Sequence, residues 1–348
     1  MCSDRFTNVT WNQHFVSQAE QKFNSQNPES NKSTIYYFEI LDNGLSPPTI
    51  KCEGKKKVES TFAERDLFTI KKLSGKDRVN LEKLFHRYEG EYANHNRNLL
   101  RIVRCARRGK DNNVIFINWA GITNELQFIY KHKIMGWIRN PYKIKEIIRI
   151  FGPSSNAVIA SADALNLYQS ITNIEEREIS YICSKFDISF EEYKTWIKII
   201  ILFLYFEKEG EKTILDDYIE QFFSANELRT SGQIHYFDDA APLLPDVGIA
   251  IDGEEGNHIF YINISKNCFM VIQHVELAGR YSQDVLTRMN IDPKDVAALL
   301  PNLRGNKSIK LYSNNLEMLA GYNQICVKSS KFAVLCASST VHGLDFIS

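Results

Sequence analysis

The stretch that decides the fold is Leu81-EKLFHRYEGEYANHNRNLLRI-Val103. Leu81, Leu84, Phe85 and Tyr88 recur at three- and four-residue intervals, and Leu99, Leu100 and Val103 extend the stripe until RRGKDNN breaks it. That period is helical, so one long amphipathic helix is expected here. Outward from it the texture changes on both sides. Upstream, TIYYFEI (Thr34–Ile40) is β-branched and aromatic, as strands are, and ERDLFTIKKL holds a second short strand. KCEGKKKVES between them is polar and reads as an exposed connection. Downstream, Val114 to about Ile138 reads as a second, apolar helix. RNPYKIKEIIRIF starts another, with Pro141 in its first turn. Two or three more helices follow, one of them opened by Ser189 and Glu192 in capping-box spacing.

Beyond about Ser231 the runs IHYFDD, VGIAID, HIFYINIS and CFMVIQHV are short, apolar and separated by turn residues, as strands of one sheet would be. NNLEMLAGYNQICVKSS is a final helix and KFAVLCASS a last strand. The order implies an α+β fold in which early and late strands share one mainly antiparallel sheet packed on a central helical layer. It would be a single domain, 1–348, with an N-terminal arm and strands (1–76), a helical region (77–230) and C-terminal strands with the final helix (231–348).

With 348 residues, 44% of them hydrophobic, the chain can bury a large core. Lys and Arg number 42 and Asp and Glu 42, so bulk charge draws no nucleic acid and any such binding needs a local patch. Seven scattered cysteines form no C-x-x-C pair and suit reduced thiols in a cytoplasmic compartment. The N-terminus lacks a signal-peptide apolar region. WIKIIILFLYF (Trp196–Phe206) is too short to span a bilayer and reads as a core helix.

Charge is nevertheless uneven. Basic residues dominate from Arg97 to Arg149 and acids from Glu207 to Glu255. Arg97, Arg101, Arg104 and Arg108 fall on one helix face, where guanidinium groups could hold a phosphate backbone. A solvated face, or a seam pairing with the acidic segment, explains the same spacing. P-loop, G-x-S-x-G, H-E-x-x-H and dinucleotide motifs are all missing. The remaining polar candidates are His14 as acid or base, Glu82 and Glu89 two turns apart on one helix face, and Asp238 and Asp239 at a strand end. A histidine flanked by glutamines can equally satisfy buried backbone groups, helix glutamates are commonly solvated, and Asp-Asp pairs cap turns.

The chain resembles the family described as domain of unknown function 4238. It carries His14-Phe15-Val16-Ser17-Gln18 for that family's His-Phe-Val-Pro-Gln, then the strand IYYFEI and the helix LEKLFHRYEGEY with Glu82 and Glu89. Arg139-Asn140-Pro141 stands for Arg-x-Pro, FDDAAPLLP for a Ser-Asp-Asn-Pro-like strand end, and Asn323 for the asparagine of the closing helix. Ser17 replaces a proline, and either Asp238 or Asp239 could match the acid. The resemblance implies that the polar run NQHFVSQ, which alone reads as a surface arm, faces inward with His14 and Gln18. It also implies a role in phage defence.

Together these readings lead to the expectation of a cytoplasmic effector acting on nucleic acid, a ribonuclease. His14, Gln18, Glu82, Glu89, Asp238 and Asp239 would line the site, and Arg97, Arg101, Arg104, Arg108 and Arg139 would hold phosphates. Carboxylates with a histidine are compatible with magnesium-assisted or metal-free cleavage, and with binding alone. The alternatives are a non-catalytic sensor that binds a phage or host protein through the acidic segment from Asp238 to Glu255, and a housekeeping RNA-binding protein.

Overall fold

The structure, a computed structural model, describes Phe6 and residues 10–347 except 31, 73–77, 109–113, 158–160, 209, 225–227, 255, 277–286, 289–291 and 293–307. The long helix forms as the periodicity requires: α2 (Glu82–Arg107) buries Leu84, Phe85, Tyr88, Tyr92, Leu99, Leu100 and Val103. At about 1.5 Å per residue its 26 residues run about 39 Å. Asn80 Oδ1 accepts from the backbone N–H of Glu82 and so satisfies one of its free amide donors.

Before α2 come β1 (Asn12–His14), α1 (Gln18–Phe23), β2 (Thr34–Asp42), β3 (Thr49–Lys57), β4 (Ala63–Arg65), β5 (Thr69–Lys72) and β6 (Arg78–Asn80). The polar segment expected as a connection is therefore a strand, β3, paired antiparallel with β2. Its lysines do not prevent pairing, because an exposed sheet face accepts long charged side chains.

The next correction is Val114–Asn118, expected as the start of a helix. It is β7, with alternating exposed and buried residues, because VIFIN is β-branched and aromatic and finds a partner strand. Asn118 Oδ1 then accepts from Ala120 N–H in a short turn, and the helix, α3, runs Thr123–Ile138. It is followed by α4 (Ile144–Phe151), α5 (Ala162–Thr172), α6 (Glu176–Phe186), α7 (Phe190–Leu204) and α8 (Ile214–Ser224). Ser189 and Glu192 close both hydrogen bonds of the capping box at α7. Trp196, Ile197, Ile199, Ile200 and Ile201 of that helix are fully buried, and among the described residues no helix is long and apolar enough to cross a membrane.

The remaining elements are β8 (Leu228–Tyr236), β9 (Leu244–Pro245), β10 (Ala250–Glu254), β11 (Asn257–Ser265), β12 (Cys268–Glu276), β13 (Ser308–Ser313), α9 (Leu316–Ser329), β14 (Ala333–Cys336) and β15 (Asp345–Ile347). Early and late strands do share a sheet, ordered β15-β3-β2-β14-β9. The four runs read as one sheet form another, ordered β10-β11-β12-β8-β13-β7, in which β8 and β13 are parallel and the other pairs antiparallel. The fold is α+β with antiparallel-rich sheets.

The closing helix α9 joins the two sheets. Phe38 of β2, Phe269 of β12 and Tyr322 of α9 share one apolar cluster, with the Tyr322 ring stacked 4.0 Å from Phe269. Asn323 Oδ1 accepts from Leu243 N–H and its Nδ2 donates to His342 O, so this asparagine is a backbone clamp. Cys52, Cys105, Cys183, Cys268, Cys326 and Cys336 are free thiols, and Cys2 lies outside the described residues.

Candidate functional site

The polar run at the start of the chain turns inward. β1 pairs with β4 in the register His14↔Ala63, and Phe15 N–H donates to Phe62 O, which carries Gln13 through Ser17 into the interior. Ser17 then starts α1, its Oγ accepting from Glu20 N–H. The serine that replaces the expected proline is thus a helix cap.

One turn of α1 encloses the His14 ring. Thr61 O lies 3.1 Å from Nδ1, and a carbonyl oxygen only accepts, so Nδ1 carries the proton. The Gln18 amide then donates to Nε2 over 2.9 Å. Burial, reinforced by the Arg139 cation, lowers the His14 pKa to about 4. At neutral pH the ring is an uncharged group with both nitrogens in hydrogen bonds.

The two carboxylates of α2 that interact with Arg139 have opposite tendencies. Arg139, directly after α3, donates from Nη2 to Glu89 Oε1 over 2.6 Å and lies 4.7 Å over the Phe85 ring. Burial works against the Glu89 charge, but Arg139, His132 and the hydrogen bond outweigh it and leave its pKa below normal. Glu82 has no such cation in contact, and burial pushes it up to about 7. Its Oε1 is buried without a hydrogen-bond partner, as is Nε of Arg139. Its Oε2 lies 3.9 Å from Nε2 of the exposed His86. Gln18 and Glu89 are half-buried, so the cluster reaches solvent beside Gln18, His86 and Glu89.

A deeper layer escaped sequence reading. Lys133 donates to Glu20 and, over 3.1 Å, to Gly248 O. His132 Nε2 lies 3.4 Å from Glu20 Oε2 and 3.1 Å from Ser17 Oγ, and its ring stacks 3.9 Å from Tyr92. The available signal was Lys131-His132-Lys133 inside an apolar helix, since cations there need buried partners. Asp246 was also missed. Buried, it accepts from the amides of Lys331, Phe332 and Ala333 and is still pushed up to about 6 by burial. Asn140 Nδ2 donates to Asp246 O, while its Oδ1 accepts from Tyr142 N–H, which gives Arg139-Asn140-Pro141 a structural reason.

The expected convergence of the aspartates on this place does not occur. Asp238 follows β8, as expected of a strand end, but Arg107 grips it with two hydrogen bonds of 3.0 and 2.8 Å, Asn314 adds another, and its pKa falls to about 2. Arg107 lies eighteen residues beyond Glu89 on α2, or about 27 Å along the helix. Asp239 lines a separate cleft of about 400 Å³ with Asn314, Ser338, Thr340 and His342. The strand that carries the pair belongs to the six-stranded sheet, remote from the β1–β4 ribbon, so His14, Gln18, Glu82 and Glu89 gather without Asp238 or Asp239.

The arginines divide as well. Arg97, Arg101 and Arg104 are exposed on α2, and Arg108, expected on the same helix face, is instead its exposed C-cap; none of the four has a carboxylate partner among the described residues. Their neighbour Arg107 makes the seam to the acidic segment. Arg139, expected to hold phosphates, is buried in its ion pair and belongs to the Glu89 cluster. The acidic surface is correspondingly reduced: Asp238 is neutralised by Arg107, Asp246 is internal, and Glu255 lies outside the described residues. Among the described residues no group of three or more His, Cys, Asp or Glu side chains is placed to hold a metal ion. No known family model, no curated protein and no solved structure matches the chain.

Proposed function

We propose that the protein is a ribonuclease whose reaction centre is the cluster of Glu82, Glu89, Arg139, Gln18 and His14, and that it serves as a phage-defence effector of the kind its family resemblance implies. The observation that carries the reading is the split between two carboxylates on one face of α2: Glu82 is held up near 7 and Glu89 held down by Arg139. Neighbouring acids with separated pKa values are how a site keeps one proton carrier and one fixed charge at neutral pH. Two buried polar atoms without a protein partner, Glu82 Oε1 and Arg139 Nε, lie in the same cluster.

In this reading Glu82 takes the proton of a ribose 2′-hydroxyl as that oxygen attacks phosphorus. The bond from phosphorus to the 5′-oxygen breaks, water protonates the departing oxygen, and a 2′,3′-cyclic phosphate remains. Arg139, buried in its pair with Glu89, does not reach the phosphate; it keeps Glu89 ionised beside Glu82. His14 and Gln18 hold the wall of the site. The exposed arginines of α2 lie on the same helix and offer charge for the flanking phosphates.

The test is incubation of the purified protein with transfer RNA, single-stranded DNA and duplex DNA, with and without magnesium. RNA alone should be cut, with cyclic phosphate ends, and both Glu82→Gln and Glu89→Gln should slow cleavage at least about a hundredfold. Uncut RNA under every condition removes the proposal.

A further inference from the structure

We infer that the groove between α1 and α2 is a subsite for one unpaired nucleotide of a single-stranded RNA, next to the cluster. A recess of about 250 Å³ opens there, lined by Ala19, Lys22, Phe23, Glu29, Ala93 and Arg97. It continues the cluster along both helices. On α1, Lys22 is one turn beyond Gln18; on α2, Ala93 is one turn and Arg97 two turns beyond Glu89. Glu89 and Arg97 are therefore about 12 Å apart along the axis.

Its chemistry suits a nucleotide. Ala19 and Ala93 leave the floor open, Phe23, 9% exposed and otherwise packed in the core, lines one side, and the Arg97 guanidinium lies 5.7 Å from its ring. Base stacking on an aromatic ring beside cations is how single strands are bound without sequence readout. Lys22 and Arg97 have no carboxylate partner among the described residues, which leaves two positive charges for phosphate against one Glu29. Glu29 is placed to accept from a base N–H. A duplex cannot enter, because its bases are stacked and paired. The recess thus selects unpaired RNA and sets the distance between the bound nucleotide and Glu82. This rests on the ribonuclease reading, but it is tested by binding rather than by cleavage.

The experiment is fluorescence anisotropy of a labelled eight-nucleotide RNA, single-stranded or annealed to its complement, titrated with full-length protein carrying Glu82→Gln over a series of salt concentrations. Ala93→Phe, which fills the recess, should weaken single-strand binding at least about tenfold and leave duplex binding unchanged. Arg97→Ala and Lys22→Ala, both surface changes, should each lower the slope of log affinity against log salt by about 0.7. Unchanged single-strand affinity in a folded Ala93→Phe protein, or an equal loss for the duplex, overturns the subsite even if RNA is cleaved. Salt slopes unaffected by either cation change overturn it too. Binding that follows the predicted pattern without cleavage by the parent protein leaves the subsite standing and removes the reaction. Absence of any RNA binding removes both.

Discussion

Glu82 and His14 show how one buried place can hold two groups away from their ordinary protonation. Unfolded, Glu82 titrates near 4.5, and folded it titrates at about 7, so the native state holds the extra proton between those values. Ionising Glu82 therefore destabilises the fold as pH rises from about 4.5 past 7, by about 3 kcal/mol in full. Glu82→Gln should melt higher than the parent at pH 8 and no higher at pH 4.5; parallel melting curves across that range would contradict it. His14 works in the other sense, since its folded value of about 4 lies below 6.5 and its contribution is lost as pH falls toward 4. The Arg139 to Glu89 pair makes a second prediction. Breaking a buried pair strands a charge, so Arg139→Met should cost about 3 kcal/mol in urea unfolding, and the double change with Glu89→Gln should cost less than the sum of the single ones. Strict additivity would mean that the two side chains do not depend on each other.

Elements were legible wherever local chemistry matched the final partner. The stripe Leu84, Phe85, Tyr88 and the pair Ser189 and Glu192 specify α2 and the start of α7 within their own turns, so periodicity and spacing suffice. Ser189→Ala should destabilise by about 1 kcal/mol, measured by chemical unfolding, and an unchanged midpoint would show that the cap is idle. Val114–Asn118 is ambiguous in the sequence because an apolar run fits helix or strand, and only pairing with β13, nearly two hundred residues on, decides it. β3 escapes for the converse reason: Lys55, Lys56 and Lys57 are consecutive and all exposed, so the strand shows no two-residue period. The candidate site was half legible. Glu82 and Glu89 share one helix and their spacing shows it, whereas Glu20, His132 and Lys133 meet across α1 and α3, which no local pattern reports.

At the scale of the molecule, α2 separates two polar places that the sequence suggested were one. The cluster at its first half holds Glu82, Glu89, Arg139 and His14, and its last turn holds Arg107 against Asp238. Asp238→Ala and Asp239→Ala should then leave RNA cleavage within about twofold of the parent, since electrostatic influence over about 27 Å is screened at physiological salt. A hundredfold loss in either would return the aspartates to the site. The central claim, that Glu82 is the proton carrier, is tested most directly by the pH dependence of RNA cleavage under single-turnover conditions. The account predicts a rate that climbs with pH and levels off above about 7, and a Glu82→Gln protein with the same fold but no such rise. A parent rate independent of pH between 5 and 8, or a Glu82→Gln protein that keeps the parent profile, would contradict it.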